Sequence, residues 1–387
     1  MKRLISGKSL LVFLEVVLLI AVIILSIVHA GKNALVSTES TEDLSESNTE
    51  INNDIEESQT GDDSEVVEQA EPTVDMPETV FSQTVTDRLA QMSTEEKVAQ
   101  LFFITPEALT GMDAVNVAGN STKAAYDTYP VGGLIYSEVN FQGQLQTSQL
   151  MNGMQSIAQE KMGFEVFLAV EELGGDYSPL ASSNHYEITG SPQELAAERD
   201  EEMVHEAAVD ISEYLNAEGF NAVLAPNMDL SGEGYSYGED TEVAEVMIKS
   251  AVSTYREAGI HTVATSYQEG TVYDGNTYRA AIEAGADILM VAAGQFGDGN
   301  AIADTRSSLG YTGVIITGDL SDAQITGRYS AGEAAVAAVN AGADMLYNPA
   351  DFKEAYDAVL DAVGNGSIST QRLDEAAGRV LSVKLSE

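Results

Sequence analysis

Over residues 81–387 short apolar runs rich in β-branched residues alternate with longer amphipathic stretches. Eight runs read as strands: Val98–Thr105, Gly132–Ser137, Val166–Glu171, Ala222–Asp229, Thr262–Tyr267, Ile288–Ala293, Val314–Asp319 and Met345–Asn348. Runs such as VFLAV and GVIIT are apolar without alternation, as in strands covered on both faces. Helical patterns lie between them. Ser191-Pro192-Gln193-Glu194 combines a capping box with proline at the first helical position and predicts a helix reaching about Ala217. Ser93-Thr94-Glu95-Glu96 is a second capping box, just before the first strand. Ala280–Leu289 (AAIEAGADIL) and Ala337–Leu346 (AAVNAGADML) repeat one motif of helix end, glycine stop and strand. Eight such alternations in about 300 residues imply an α/β fold, a (β/α)8 TIM-type barrel. An open doubly wound sheet is the alternative.

The pattern before residue 81 is different. Leu10–Val28 is an apolar run of 19 residues with one charge, Glu15. A helix of about 20 apolar residues spans a bilayer. Lys2, Arg3 and Lys8 precede it, so the positive-inside bias puts residues 1–9 in the cytoplasm and the rest outside. Residues 10–30 are thus expected to be a single-pass anchor in the cell membrane. A cleaved signal peptide ending at Val28-His29-Ala30 is the alternative. Residues 31–80 hold fifteen Asp or Glu, one Lys and no aromatic residue. Such a stretch buries too little apolar surface to offset its ordering entropy and reads as a disordered acidic linker.

Charge narrows the function. The 387 residues carry a formal net charge of −44. Residues 81–387 hold 14 Lys and Arg against 46 Asp and Glu, a net charge near −32. A surface of that sign excludes nucleic acid, which needs clustered cations. With no cysteine there is no disulfide. No metal-ligand spacing occurs, and no metal or other cofactor is expected. His185, His205 and His261 read as surface or core histidines.

In a barrel of this kind chemistry sits at the C-terminal ends of the strands. The acids there are Glu171 and Glu172, Asp229, and Asp319, which follows Gly318. There is no Trp for a sugar ring to stack on, but Tyr136, Tyr177, Tyr235, Tyr237 and Tyr267 fall near strand ends.

At these residues the chain resembles glycoside hydrolase family 3, in its β-N-acetylhexosaminidase branch. The resemblance runs through LAQMSTEEKVAQLFFI (Leu89–Ile104), YPVGGLIY (Tyr129–Tyr136), FLAVEELGG (Phe167–Gly175), GFNAVLAPNMDL (Gly219–Leu230) and YSYGED (Tyr235–Asp240). It continues through RAAIEAGADILMVA, GYTGVIITGDLSDAQITG, AGEAAVAAVNAGADML and ISTQRLDEAAGRVLSVK. It implies a retaining hydrolase that works through a covalent glycosyl-enzyme. The family's nucleophilic Asp at the end of the seventh strand falls on Gly318, which has no side chain to attack a sugar. The family's Lys-His pair after the fifth strand falls on Ser266 and Tyr267, and the loop bearing its acid/base His is missing between Gly270 and Tyr278. The substrate-holding Asp falls on Glu171. Leu173 stands where the family has Glu, and Asp176 where Arg is common. The expectation is a catalytically impaired relative that binds a cell-wall glycan or a protein partner. Glu171, Asp229 and Tyr267 would contact the sugar, and Asp319 and Glu172 are the remaining carboxylates for any catalysis. The alternative is an active β-N-acetylhexosaminidase-like hydrolase using rearranged acids.

Overall fold

The computed structural model describes residues 80–267, 275–292 and 301–386. The apolar run Leu10–Val28 and nearly all of the acidic segment lie outside the described residues, as does the stretch expected to lack the His-bearing loop.

Eight parallel strands form one sheet in the order β7-β6-β5-β4-β3-β2-β1-β8. They are β1 (Phe102–Ile104), β2 (Gly133–Tyr136), β3 (Phe167–Glu171), β4 (Ala222–Asn227), β5 (His261–Thr265), β6 (Ile288–Val291), β7 (Val314–Thr317) and β8 (Leu346–Tyr347). β1 pairs with both β2 and β8. The ring is nearly closed by a parallel bridge between Ile316 and Met345. Helices between successive strands form the outer layer, as parallel strands require.

The strand period of two sorts side chains into two cores. Phe103, Ile135, Phe167, Ala169, Ala222, Leu224, Val263, Ile288, Met290, Val314, Ile316 and Met345 fill the barrel interior, with Val380 of the terminal helix Thr370–Lys384 below them. Leu168, Val170, Val223 and Ile315, of opposite parity, pack against the helices. Close packing inside explains Gly133. It pairs with Phe103, and a Cβ there would lie 1.8 Å from the Phe103 ring.

Three expectations are corrected. The first strand starts at Phe102, not Val98, because the helix begun by the Ser93 capping box runs on to Gln100. The helix begun at Ser191 stops at Ala197, and a second runs from Glu201 to Glu218. The break has a local cause. Arg199 takes the left-handed region (φ 53°), and Asp200 caps the next helix by accepting from Glu202 N–H at 3.1 Å. The fourth strand ends at Asn227, where its register with β5 shifts, rather than at Asp229.

The repeated Gly-Ala-Asp motif has a mechanical role. Asp287 and Asp344 each precede a strand and reach toward an earlier one. Asp287 Oδ2 lies 3.0 Å from His261 Nδ1 at the start of β5. Asp344 Oδ2 accepts from Ile315 N–H of β7 at 3.0 Å. Asn221, before β4, does the same to Leu168 N–H of β3 at 2.7 Å. Asp344 is fully buried and also binds three guanidinium groups: Arg306, Arg372 at 3.1 Å and Arg379 at 2.9 Å. Burial alone would raise its carboxyl. The three arginines and the Ile315 N–H outweigh that and hold it below the ordinary range.

Removing a buried charge partner strands the others, at about 3–5 kcal/mol. Asp344→Asn is therefore expected to lower unfolding free energy by that order, read from urea titration at pH 7. Because the native carboxyl is held low, the stabilisation is present above the ordinary carboxyl value of about 3.9 and is lost as pH falls through the lower native value. The difference between the native chain and Asp344→Asn should accordingly shrink on acidification, and a constant difference would refute the assignment.

Candidate functional site

The barrel mouth lies at the C-terminal strand ends. On β3, Glu171 continues the interior row of Phe167 and Ala169, whereas Glu172 takes the opposite side. The two adjacent acids therefore do not form a pair. Glu171 is half-buried at the mouth. Burial raises its carboxyl above the usual range, partly offset by the neighbouring Tyr267 side chain.

Glu172 is fully buried between barrel and helices, not at the mouth. It accepts from Leu180 N–H at 3.0 Å, Ala181 N–H at 3.1 Å and the Tyr214 hydroxyl at 2.9 Å. The two amides belong to the first turn of the helix Pro179–Asn184, whose N-cap residue, Ser178, makes no side-chain cap bond. Glu172 thus supplies from a distance the acceptor a cap would give. Burial pushes its carboxyl up to about 7 against the pull of these donors, with Glu171 adding to the rise.

Asp229 is buried just beyond β4. Its carboxylate accepts from the Ser266 hydroxyl at 2.6 Å, Tyr267 N–H at 2.7 Å and Asn227 Nδ2 at 3.3 Å. Asp229 thereby fixes the backbone that carries Tyr267. The Tyr267 ring is 37% exposed. Its hydroxyl is buried, and burial and the Glu171 charge raise its pKa.

On β7 the interior row Val314, Ile316 continues to Gly318, and Gly318 N–H donates to Val291 O of β6 at 2.6 Å. Asp319 is engaged locally. Its Oδ1 accepts from Ser321 N–H at 2.7 Å and the Ser321 hydroxyl at 2.6 Å, and Asn348 Nδ2 donates to both oxygens at 3.2 Å.

Of the tyrosines expected near the mouth, Tyr136 and Tyr237 are buried in the outer core. Tyr177, Tyr235 and Tyr267 form a partly exposed group. Asn348, Thr265 and Tyr347 were not foreseen as site residues. Asn348 had a signal: it precedes proline and occupies the left-handed region at φ 45°, which Asn tolerates. Tyr347 and Thr265 follow only from strand parity. His185 caps a helix end, and His205 Nδ1 lies 2.8 Å from the Thr254 hydroxyl. Among the described residues no cluster of His, Asp and Glu is arranged to hold a metal ion.

The fold is a nearly closed eight-stranded parallel α/β barrel of the TIM type. Residues 93–268 and 265–383 match the model of the glycosyl hydrolase family 3 N-terminal domain, and the chain belongs to that family. A family 3 β-N-acetylglucosaminidase from Paenibacillus sp. is similar, with a TM-score of 0.68 and 26% identity over 76% of this chain and 62% of that one. A β-N-acetylhexosaminidase from Beutenbergia cavernae shares the fold, with a TM-score of 0.64 and 22% identity over 76% and 99%. Among curated relatives, a probable β-glucosidase C from Aspergillus flavus is 24% identical over an alignment covering 79% of this chain and 57% of that protein. The β-hexosaminidase A of Pseudoalteromonas piscicida is 23% identical, covering 66% and 53%. The chain thus spans little more than half the length of these curated relatives.

The role of Glu172 can be tested by pH. A carboxyl raised in the native state stabilises fully below the unfolded value of about 4.3 and loses that stabilisation as pH rises to about 7. Glu172→Gln turns an amide donor toward backbone N–H groups and is expected to be less stable throughout. Its deficit in melting temperature should be larger near pH 5 than near pH 8. A deficit that grows with pH would contradict the assignment.

Proposed function

We propose that this protein is a glycan-binding member of family 3 in which hydrolysis is impaired, and that its barrel mouth takes an uncharged sugar against Glu171. The supporting observation is Gly318. It continues the interior row of β7, at the position that the resemblance gives to the nucleophile. The adjacent Asp319 is of the opposite parity, and its carboxylate is engaged locally by Ser321 and Asn348. Glu171, half-buried at the mouth beside the Tyr267 side chain, is suited to accept a sugar hydroxyl. The net negative charge of the chain disfavours anionic glycans.

A second reading is an active β-N-acetylhexosaminidase-like hydrolase. The burial-raised carboxyl of Glu171 favours it, because a general acid needs such a shift. Among the described residues the interior row of β7 ends in Gly318 rather than a carboxylate, which favours binding instead. We further propose that residues 10–30 anchor the protein in the cell membrane with residues 31–80 as an acidic tether outside, on the strength of the N-terminal apolar run and the cations before it. A cell-wall glycan is then the nearest polymer in reach, and a protein partner the other ligand class.

The full chain is expected to release no chromophore from nitrophenyl N-acetylglucosaminide or glucoside above the buffer rate. It should bind an N-acetylglucosamine oligosaccharide in calorimetry, and Glu171→Gln should weaken that binding about ten- to a hundredfold, the worth of a charged hydrogen bond. Turnover abolished by Glu171→Gln would overturn the impaired reading in favour of the hydrolase.

A further inference from the structure

We infer that Tyr177, Tyr235 and Tyr267 form an aromatic track that holds a chain of several uncharged sugars, running from Glu171 to the rim of the barrel. The inference rests on the glycan-binding reading and extends it from a single sugar to an oligosaccharide.

The three residues come from three separate segments: the loop after β3, the loop after β4 and the end of β5. Their rings meet edge to face. Tyr177 and Tyr235 have centroids 5.8 Å apart with planes at 90°, and Tyr235 and Tyr267 have centroids 5.8 Å apart at 76°. Tyr177 and Tyr235 are half-buried and Tyr267 is exposed. Tyrosines buried for packing alone are covered, as Tyr136 and Tyr237 are. At the inner end of the row the buried Tyr267 hydroxyl lies near Glu171, whose charge helps to raise its pKa. The row is thus continuous with the mouth.

The track is pre-ordered. Tyr267 N–H is held by Asp229 at 2.7 Å. The Tyr235 loop is tied by the Ser236 hydroxyl to Asp229 O at 2.5 Å, and by Gln193 Nε2 to Gly232 O at 2.7 Å. Tyr177 O accepts from Leu173 N–H at 2.9 Å, and Tyr177 N–H donates to Gly174 O at 3.1 Å. Gly234 lets the two loops meet: a Cβ on it would lie 3.3 Å from Tyr177 Cε2. Rings fixed before binding give up little entropy when a ligand arrives.

Charge defines the ligand class. Residues 172–178 and 228–239 contain no Lys or Arg, while Asp176, Glu233 and Glu239 are acidic and exposed; Asp240, at the end of the second loop, is paired with Arg199 at 2.7 Å. Partly exposed aromatic faces beside carboxylates suit the C–H face and hydroxyls of a neutral sugar and repel a sugar acid.

Calorimetry on the full chain with N-acetylchitobiose and N-acetylchitotetraose tests the track. The tetramer is expected to bind about three- to tenfold more tightly than the dimer, as stacking on one or two rings predicts. Tyr177→Ala should bring the tetramer to the affinity of the dimer and leave the dimer unchanged. Tyr177→Phe, which keeps the ring, should retain the tetramer's advantage. A tetramer alternating N-acetylglucosamine with N-acetylmuramic acid should bind more weakly than the neutral one. If the dimer binds and the tetramer gains nothing, or if Phe loses as much as Ala, the track is wrong and the glycan-binding reading stands. If neither neutral oligosaccharide binds, the glycan-binding reading falls and takes the track with it.

Discussion

The barrel depends on one carboxylate at its weakest seam. β7 and β8 meet through the single bridge between Ile316 and Met345, supported by the Thr317 hydroxyl accepting from Tyr347 N–H at 2.9 Å. β8 itself is only two residues long. Asp344 lies just before it and joins β7, the helix Ala301–Ser307 and the terminal helix through Ile315 N–H and three guanidiniums. Isolated buried arginines would be costly, and so would an isolated buried aspartate. Together they make closure and the docking of the terminal helix one event. A chain with so few cations spends three of them at this point.

Closure in turn fixes which residues share the mouth. Once the interior row of each strand is set, alternation carries Glu171, Tyr267 and Gly318 to the inner surface and sends Glu172 outward. A one-residue slip on β3 would exchange the two glutamates. Their chemistry differs accordingly. Glu171 faces the mouth beside a tyrosine hydroxyl, and Glu172 holds the first turn of a helix. Asp229 makes a third kind of acid. It orients the segment that bears Tyr267, so the geometry of Tyr267 against Glu171 is built on a buried acid.

These differences separate what was legible in the sequence from what was not. Barrel class, strand number and the βα repeat were legible because they rest on local periodicity and glycine stops. The place of Gly318 at the end of the seventh strand came from the family resemblance, and the parity of Val314 and Ile316 carries it to the interior row. The extension of the first helix over Val98 was missed because Val98, Ala99 and Leu101 are apolar in either element, and only the capping box decides between them. The break at Arg199 was missed because nothing before Asp200 marks a left-handed residue. The partners of Asp344 were invisible for another reason: Arg306, Arg372 and Arg379 lie 28 to 38 residues away in sequence. The role of Glu172 needed Tyr214, 42 residues on.

The same reasoning bears on the proposal that the mouth binds a sugar with Gly318 on the interior row of β7. If the barrel were only a scaffold, nothing would keep a half-exposed tyrosine with its hydroxyl buried near a desolvated glutamate. Exposed apolar rings and raised carboxyls both cost stability. Here the arrangement is supported from behind by Asp229, Ser266 and Asn227, buried polar groups whose mutual bonds serve to hold the Tyr267 segment. Support of that depth behind a mouth whose β7 position is glycine argues for a site that still binds. On the proposed binding role, specificity would rest on Tyr267 and its neighbours rather than on Gly318, because a glycine can only leave space, whereas a positioned ring and carboxyl can select what fills it.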